Sequence, residues 1–234
     1  MSRLVDPHWS EKRGMRIGAH VWPDHWPEYV ADIIAHAVWF SLAISALVFA
    51  LGRDDISPAL LTFAIALTAV VVASTANNLW PLGEVRRWLS RIDRAVIYPL
   101  IAATSGAFLA IGGLNRFQFW LLVGVWAVAI FGVVLKLGFP GRLPRTGMAI
   151  YLGLGVVAAL GMADIAPALG WQGIALLVAG GAIYAGGVRI YLNDHLPYRA
   201  AIWHLLCTLA GACHFAAIMM AWTQSNEGLT SWAK

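Results

Sequence analysis

Seven long apolar runs follow one another along the chain, with short polar stretches between them. Each run approaches the 20 or so apolar residues that a helix needs to cross the hydrocarbon core of a bilayer. None of the runs alternates strictly between apolar and polar positions, as a transmembrane strand would. The predicted spans are Val30–Leu51, Ala59–Trp80, Ala95–Leu114, Phe117–Leu137, Gly147–Ala163, Trp171–Tyr191 and Ala200–Trp222.

The connections between the runs carry the residues that end helices. Pro58, Pro81, Gly138, Pro167 and Pro197 all lie between predicted spans or at their edges. The pattern therefore predicts an all-α membrane protein built as a seven-transmembrane-helix bundle. We divide the chain into an N-terminal segment (1–28), a transmembrane domain (29–223) and a C-terminal tail (224–234).

Composition and charge distribution agree with this interpretation and set its orientation. Hydrophobic residues make up 60% of the chain and charged residues 12%, against roughly 25% charged residues in soluble domains. Of the 16 Lys and Arg residues, 13 fall on the side of the N-terminus. The positive-inside rule then predicts a cytoplasmic N-terminus and an extracytoplasmic C-terminus in a multi-pass protein of the cell (inner) membrane. The net charge of +4 follows from this topology, and we expect no nucleic acid partner.

Ionisable and polar residues inside the spans gather near the predicted cytoplasmic side. Such groups are costly in lipid and usually face the interior of the bundle. Each also has a structural explanation: Asp32 could complement the helix dipole, Asp93 could cap a helix, and His204 could be interfacial. The residues concerned are Asp32, His36, Ser74, Asn78, Asp93 and His204, with His214 deeper by ~15 Å along the last span.

Three glycines share one face of the sixth span. Gly173, Gly180 and Gly187 are seven residues apart, and small residues allow helices to approach closely in lipid. We expect tight helix packing there, with a hinge as the alternative.

Four sequence patterns resemble the hemolysin III family, the bacterial branch of the progestin and adipoQ receptors. The family's first span has E-x-x-x-N-x-x-T-H, its second ends in S-x-x-x-H, its third opens with R-x-L-D-H-S-A-I-Y, and its seventh reads H-A-I-W-H with a later H-F. The corresponding residues here are Glu28, Asp32, Ala35 and His36; Ser74 and Asn78; Arg91–Tyr98; and Ala200–His204 followed by His214 and Phe215.

The resemblance implies a seven-helix bundle and a zinc ion held near the cytoplasmic side. In the family, the zinc ligands are the histidine of the second span and both histidines of H-A-I-W-H. Three imidazoles and a water give zinc a tetrahedral shell with one exchangeable position, and such a water can attack an amide or ester. Ser74 and Asp93 correspond to the serine and aspartate that would assist this water as auxiliary catalytic residues.

This chain departs from the pattern at the ligands. Asn78 and Ala200 replace two of the three histidines, and His204 is the only retained ligand position. We therefore expect no bound cofactor, with zinc as the alternative if Asp93, His204 and a third group such as His36 form a new site. Asp93 and His204 could instead form an ion pair that holds the bundle closed. His36, Asp32, Asn78 and His214 are expected to line the same polar cavity.

The leading hypothesis is a membrane protein of hemolysin III type with a degenerate zinc site. It would bind membrane lipid or acyl chains, with little or no catalysis, and take part in membrane-lipid homeostasis. One alternative is a metal-dependent lipid amide hydrolase of ceramidase type with altered ligands. The other is a channel or cytolysin, although the chain has no recognisable ion-lining ring. The sequence indicates no particular protein partner.

The charge asymmetry predicts how reporter fusions will behave. A reporter placed after Trp222 should be extracytoplasmic, and one placed near Arg142 should be cytoplasmic. Fusions to alkaline phosphatase and to green fluorescent protein measure the two locations independently. A cytoplasmic reporter after Trp222 would contradict the predicted number of spans.

Overall fold

The computed structural model describes residues 16–17, 20–21, 26–52, 57–81, 83–111, 113–139, 144–193 and 195–231. Apart from a short antiparallel pair, β1 and β2, these residues are almost entirely helical. The elements in chain order are β1 (Arg16–Ile17), β2 (His20–Val21), α1 (Trp26–Leu51), α2 (Pro58–Leu79), α3 (Glu84–Ala95), α4 (Ile97–Leu109), α5 (Arg116–Gly138), α6 (Pro144–Leu160), a 3₁₀ turn (Ala163–Ile165), α7 (Ala166–Tyr191) and α8 (Arg199–Ser231).

Within the described residues, six helical segments are long and apolar enough to cross a membrane. They correspond to six of the predicted spans, with α3 and α4 together forming one segment (Glu84–Leu109). The remaining predicted span coincides with α6, which has 17 residues. The protein is thus a multi-helix membrane protein, and the count of seven spans stays a prediction.

The third predicted span differs most from the structure. Asp93 lies near the end of α3 instead of at the start of a helix, and the N-cap of α3 is Gly83. The helical path breaks at Val96, between α3 and α4. Pro99 explains the break, because proline has no N–H to donate and its ring clashes with the carbonyl four residues earlier, here that of Ala95. The alternative that Asp93 is an N-cap is therefore wrong.

Side-chain caps fix several helix ends. Ser57 accepts a hydrogen bond from the Leu60 amide, and Pro58 occupies the first turn of α2. Asn115 and Gln118 form a reciprocal capping box at the start of α5. The Gln118 amide nitrogen also donates to the Gly161 carbonyl at 3.2 Å, so this cap holds the start of α5 against the end of α6.

The helices pack in a series that runs from α7 through α8, α1 and α2 to α4. Helix α8 contacts α7 on one side and α1 on the other, while α1 also packs on α2, and α2 packs on α4. Helices α5 and α6 both pack on α4. The main core cluster contains buried residues from α1, α2, α4, α7 and α8, and its alanines let these helices approach closely.

The glycine face of α7 is used for tight packing, as the sequence predicted. A Cβ atom on Gly180 would lie 2.5 Å from the His214 ring, and one on Gly187 would lie 3.0 Å from the Trp203 ring. A break in α7 occurs at a different glycine, Gly170, whose φ of 59° suits a residue without a side chain. The regular part of α7 therefore begins at Trp171, the predicted start of the span.

The close approach at Gly180 predicts a packing-dependent loss of stability. Gly180→Ala should destabilise the fold by about 1–3 kcal/mol, because His214 and the Ala210 carbonyl occupy the space of the new methyl group. Gly181→Ala is the matched control, since a Cβ atom there meets nothing within 4 Å. Thermal unfolding in detergent measures both variants. Equal unfolding temperatures would contradict the packing seen between α7 and α8.

Candidate functional site

Five polar side chains from three helices meet inside the bundle. We call them the polar cluster: Asp32, His36, Ser74, Asn78 and His204, all of them buried. Asp32 and His36 are one helical turn apart on α1 and share its buried face with Trp39. Ser74 and Asn78 have the same spacing near the end of α2, and His204 lies in the second turn of α8.

The shortest contact within the polar cluster joins Asp32 to His204. Asp32 Oδ1 lies 2.6 Å from His204 Nδ1, and both side chains are at most 4% exposed. An ionised carboxylate only accepts hydrogen bonds, so Nδ1 of His204 is the donor. In a neutral imidazole this leaves Nε2 as the acceptor, pointing to the other side of the ring.

Two groups of α2 meet the Nε2 atom of His204. The Ser74 hydroxyl oxygen lies 3.3 Å from it and the Asn78 amide nitrogen lies 3.4 Å from it. The Asn78 amide also donates to the Ser74 carbonyl at 2.9 Å and approaches the Ser74 hydroxyl at 3.3 Å. Asn78 therefore holds Ser74 beside His204, and the single proton of the Ser74 hydroxyl can be donated either to Nε2 of His204 or to the nearby Asp93 carboxylate.

Two rings of α1 fix the orientation of the His204 imidazole. The centroid of the His36 ring is 4.1 Å away, and the Trp39 ring stacks at 5.9 Å with an interplanar angle of 27°. His36 is itself held by a 2.8 Å contact between its Nδ1 and the Asp32 carbonyl. Its Nε2 is buried and finds no hydrogen-bond partner among the described residues.

Asp93 approaches the polar cluster from α3. Its Oδ2 accepts a hydrogen bond from the Asn77 amide at 2.9 Å, and its carboxylate also lies close to the Ser74 hydroxyl. Arg86 donates to the Asn77 carbonyl at 2.8 Å, which ties α3 to the end of α2. The structure thus brings both residues that the resemblance marked as auxiliaries, Ser74 and Asp93, to one place.

His214 does not join this group. Its Nε2 lies 3.3 Å from the Leu177 carbonyl, and its ring packs against Phe108 and Tyr184. Ten residues of helix separate it from His204, which corresponds to ~15 Å. The expectation that His214 lines the same cavity is therefore wrong.

Sequence reasoning did not identify the main partner of His204. It offered Asp93 for that role and placed Asp32 among the residues expected to line the polar cavity, with a first-turn carboxylate as the alternative. In the structure the first-turn carboxylate of α1 is Glu28, and Asp32 lies further along the helix. His204 is buried among the described residues, and its depth in the membrane stays a prediction. The one available signal was Asp32 itself, which stands where the resembled pattern has asparagine.

The residues expected to hold zinc by resemblance do not fit a zinc ion here. Of the three positions, Asn78 offers a weak ligand, Ala200 offers none, and only His204 carries an imidazole. A different group, Asp32, His36 and His204, offers three potential ligand atoms within 4.8 Å of one another. These three residues could hold a metal ion.

The observed distances suit hydrogen bonding better than shared coordination. Two donors on one tetrahedral zinc, with bonds near 2.0 Å, are separated by about 3.3 Å. Asp32 Oδ1 and His204 Nδ1 are only 2.6 Å apart. A metal ion at this position would therefore require the Asp32 carboxylate or the His204 ring to rotate.

Comparison with known proteins identifies relatives over most of the chain. The family model for haemolysin-III-related proteins matches residues 25–215. Hemolysin-3 of Bacillus cereus is 27% identical over 198 residues, covering 82% of this chain and 90% of that protein. The hemolysin-3 homolog of Bacillus subtilis is 28% identical over 200 residues, with coverages of 82% and 93%.

A mammalian protein is also similar to this chain over most of its length. The human monocyte to macrophage differentiation factor is 29% identical over 201 residues, which cover 82% of this chain and 83% of that protein. The matched region includes all five residues of the polar cluster. The chain therefore belongs to the haemolysin III family.

Proposed function

We propose that this protein binds a membrane lipid, with the lipid's polar part at the polar cluster, and that it acts in membrane-lipid homeostasis. The observation that carries the proposal is the burial of Asp32, His36, Ser74, Asn78 and His204 within apolar helices. The outward faces of those helices are apolar, with Ile34, Val38 and Val72 exposed. A ligand that reaches the polar cluster from the bilayer must itself combine apolar and polar parts.

The proposed setting is the cytoplasmic half of the cell membrane, within a seven-span bundle. Support comes from the Lys and Arg distribution, which predicts that the start of α1 and the start of α8 lie on the cytoplasmic side. His204 is in the second turn of α8 and Asp32 in the second turn of α1, so both would lie near that surface. The α6 helix would supply the seventh span, since 17 residues are at the lower limit for crossing.

The proposal includes the loss of the three-histidine zinc centre. A second candidate, a metal-dependent hydrolase, is favoured by one observation, the grouping of Asp32, His36 and His204. In that case a bound divalent ion would supply Lewis-acid activation of a lipid carbonyl. The Nε2 atom of His36, which is buried and has no hydrogen-bond partner among the described residues, is the ligand atom that such a site would use.

Lipid binding at the polar cluster can be mapped by photo-crosslinking. A photoactivatable fatty acid should label α1 and α2 peptides around His36 and Ser74, in addition to the outward face of α5 around Ile130 and Phe131. Ser74→Leu should reduce only the labelling near His36, because a larger apolar side chain occupies the space. Labelling confined to the α5 face, and unchanged by Ser74→Leu, would contradict the proposal.

Metal analysis separates the two candidates. We expect little zinc in the purified parent and stoichiometric zinc in the double variant Asn78→His with Ala200→His, since three imidazoles bind far more tightly than one. Elemental analysis of proteins purified together provides the measurement. Stoichiometric zinc in the parent, lost in His36→Ala and kept in the exposed control His195→Ala, would favour the hydrolase. Zinc in neither protein would show that the packing of α2 against α8 differs from the family's.

A further inference from the structure

A hydrogen-bonded chain of three side chains runs across α1, α8 and α2. Asp32 Oδ1 contacts His204 Nδ1 at 2.6 Å, and His204 Nε2 contacts the Ser74 hydroxyl at 3.3 Å. We propose that Ser74, His204 and Asp32 form a metal-independent catalytic site, in which Ser74 attacks the carboxylic ester of a membrane lipid. The lipid substrate rests on the proposed function, whereas the reactivity of Ser74 rests only on these contacts.

The contacts assign each group its role. Asp32 accepts from Nδ1 and so holds the tautomer in which Nε2 is the base. Ser74 is the only hydroxyl-bearing side chain that the described residues place against Nε2. A separation of 3.3 Å is normal for a nucleophile and base before substrate binds, because these contacts tighten in the complex.

The neighbouring rings limit how the base can move. His36 and Trp39 both lie against the His204 imidazole, at centroid distances of 4.1 and 5.9 Å. Rotation of the ring would break the contacts to both Asp32 and Ser74. This fixed orientation is what proton transfer between a serine and a histidine requires.

Asn78 supplies the donor that an ester carbonyl needs during attack. Its amide nitrogen is 3.3 Å from the Ser74 hydroxyl oxygen, closer than it is to His204 Nε2. A side-chain amide beside the nucleophile can donate to the oxyanion that forms on the attacked carbonyl. Asn78 stands where the family pattern has a zinc-ligating histidine, and here it provides an uncharged hydrogen-bond donor. A single neutral donor suits an ester, whose carbonyl is more reactive than that of an amide.

The proposed steps balance in atoms and charge. The Ser74 hydroxyl gives its proton to His204 Nε2 while its oxygen bonds to the acyl carbon, and the carbonyl electron pair moves to the oxygen, next to Asn78. The carbonyl re-forms as the bond to the lipid alcohol breaks, and that alcohol takes the proton from Nε2. Water then attacks acyl-Ser74 by the same route, releasing a fatty acid and regenerating Ser74. His204 and Ser74 are catalytic residues, and Asp32 is a positioning residue.

Covalent labelling of Ser74 tests the proposal. The full chain, purified in detergent with a chelator present, is treated with diisopropyl fluorophosphate, which is small and reacts with activated serines. Peptide mass spectrometry should find the adduct on Ser74 when the folded protein is treated, and should not find it when the protein is denatured before treatment. No adduct on folded Ser74, in a sample where an added soluble serine hydrolase is fully labelled, would overturn the proposal. This arm uses the parent chain and does not depend on any variant folding.

Variants then assign the roles. His204→Ala and Asp32→Asn should slow labelling of Ser74 by roughly 10²–10⁴-fold, the usual contribution of a positioned base. Imidazole added to His204→Ala should restore part of the rate, and Asp32→Glu should retain part because it keeps the carboxylate. Ser105→Ala is the control and should label at the parent rate, since Ser105 is a buried serine bonded only to its own helix carbonyl among the described residues. Equal rates in the parent and His204→Ala would overturn the role of His204.

The substrate class has its own measurement. A medium-chain monoacylglycerol should slow labelling by occupying the site, and fatty acid release from it should require Ser74. Protection by a fatty amide but not by this ester would overturn the ester assignment. Photo-crosslinking that fails while Ser74 still labels would remove the lipid-binding proposal and leave the catalytic site standing. Lipid crosslinking near His36 without labelling of Ser74 would remove the catalytic proposal and leave the lipid-binding proposal standing.

Discussion

The hydrogen bond between Asp32 and His204 is the contact on which the interior of the bundle depends. A carboxylate taken out of water costs several kcal/mol unless an oppositely charged or donating partner compensates it. Asp32 is fully buried, and His204 is its nearest described partner. The position of α8 against α1 is therefore set by polar geometry as well as by apolar packing. Every other group of the polar cluster is arranged around this pair.

Small residues make that geometry attainable. Trp203, the neighbour of His204, packs on Gly187, and His214 packs on Gly180, so α8 lies against the glycine face of α7 along more than two turns. Alanines at the α1 face, including Ala35 and Ala43, are fully buried. Larger side chains at these positions would move α8 away from α1 or α7 and lengthen a contact that is only 2.6 Å. The small residues that allow close helix packing are thus also needed for the contact between Asp32 and His204.

Sequence patterns predicted the parts of the structure that depend on local composition. Long apolar runs located the helices, and the seven-residue glycine spacing located the tight face of α7. The sequence analysis did not predict that the third span divides into two helices at Val96. Pro99 was a possible signal, but the run of apolar residues is continuous across this point and gives no sign of a helix end. The partner of His204 could not be identified, since Asp32 is 172 positions away and pairing across helices depends on their rotation. The sequence thus indicated which polar residues lie inside the helices, but it did not indicate which of them pair, and it wrongly grouped His214 with His204.

The substitutions at the family's zinc positions gain a chemical meaning from that connection. Losing two imidazoles at Asn78 and Ala200 would leave His204 as an isolated buried base if nothing else had changed. Instead, a carboxylate at Asp32 holds one ring nitrogen, and Ser74 and Asn78 meet the other. A metal ion activates a water by lowering its pKa, whereas a carboxylate-bound imidazole activates a hydroxyl by removing its proton. Under the proposal above, the second route would produce an oxygen nucleophile beside His204, the position where the resemblance implies a zinc ligand. In that case the few residues around His204, and not the helical scaffold, would determine which route is used.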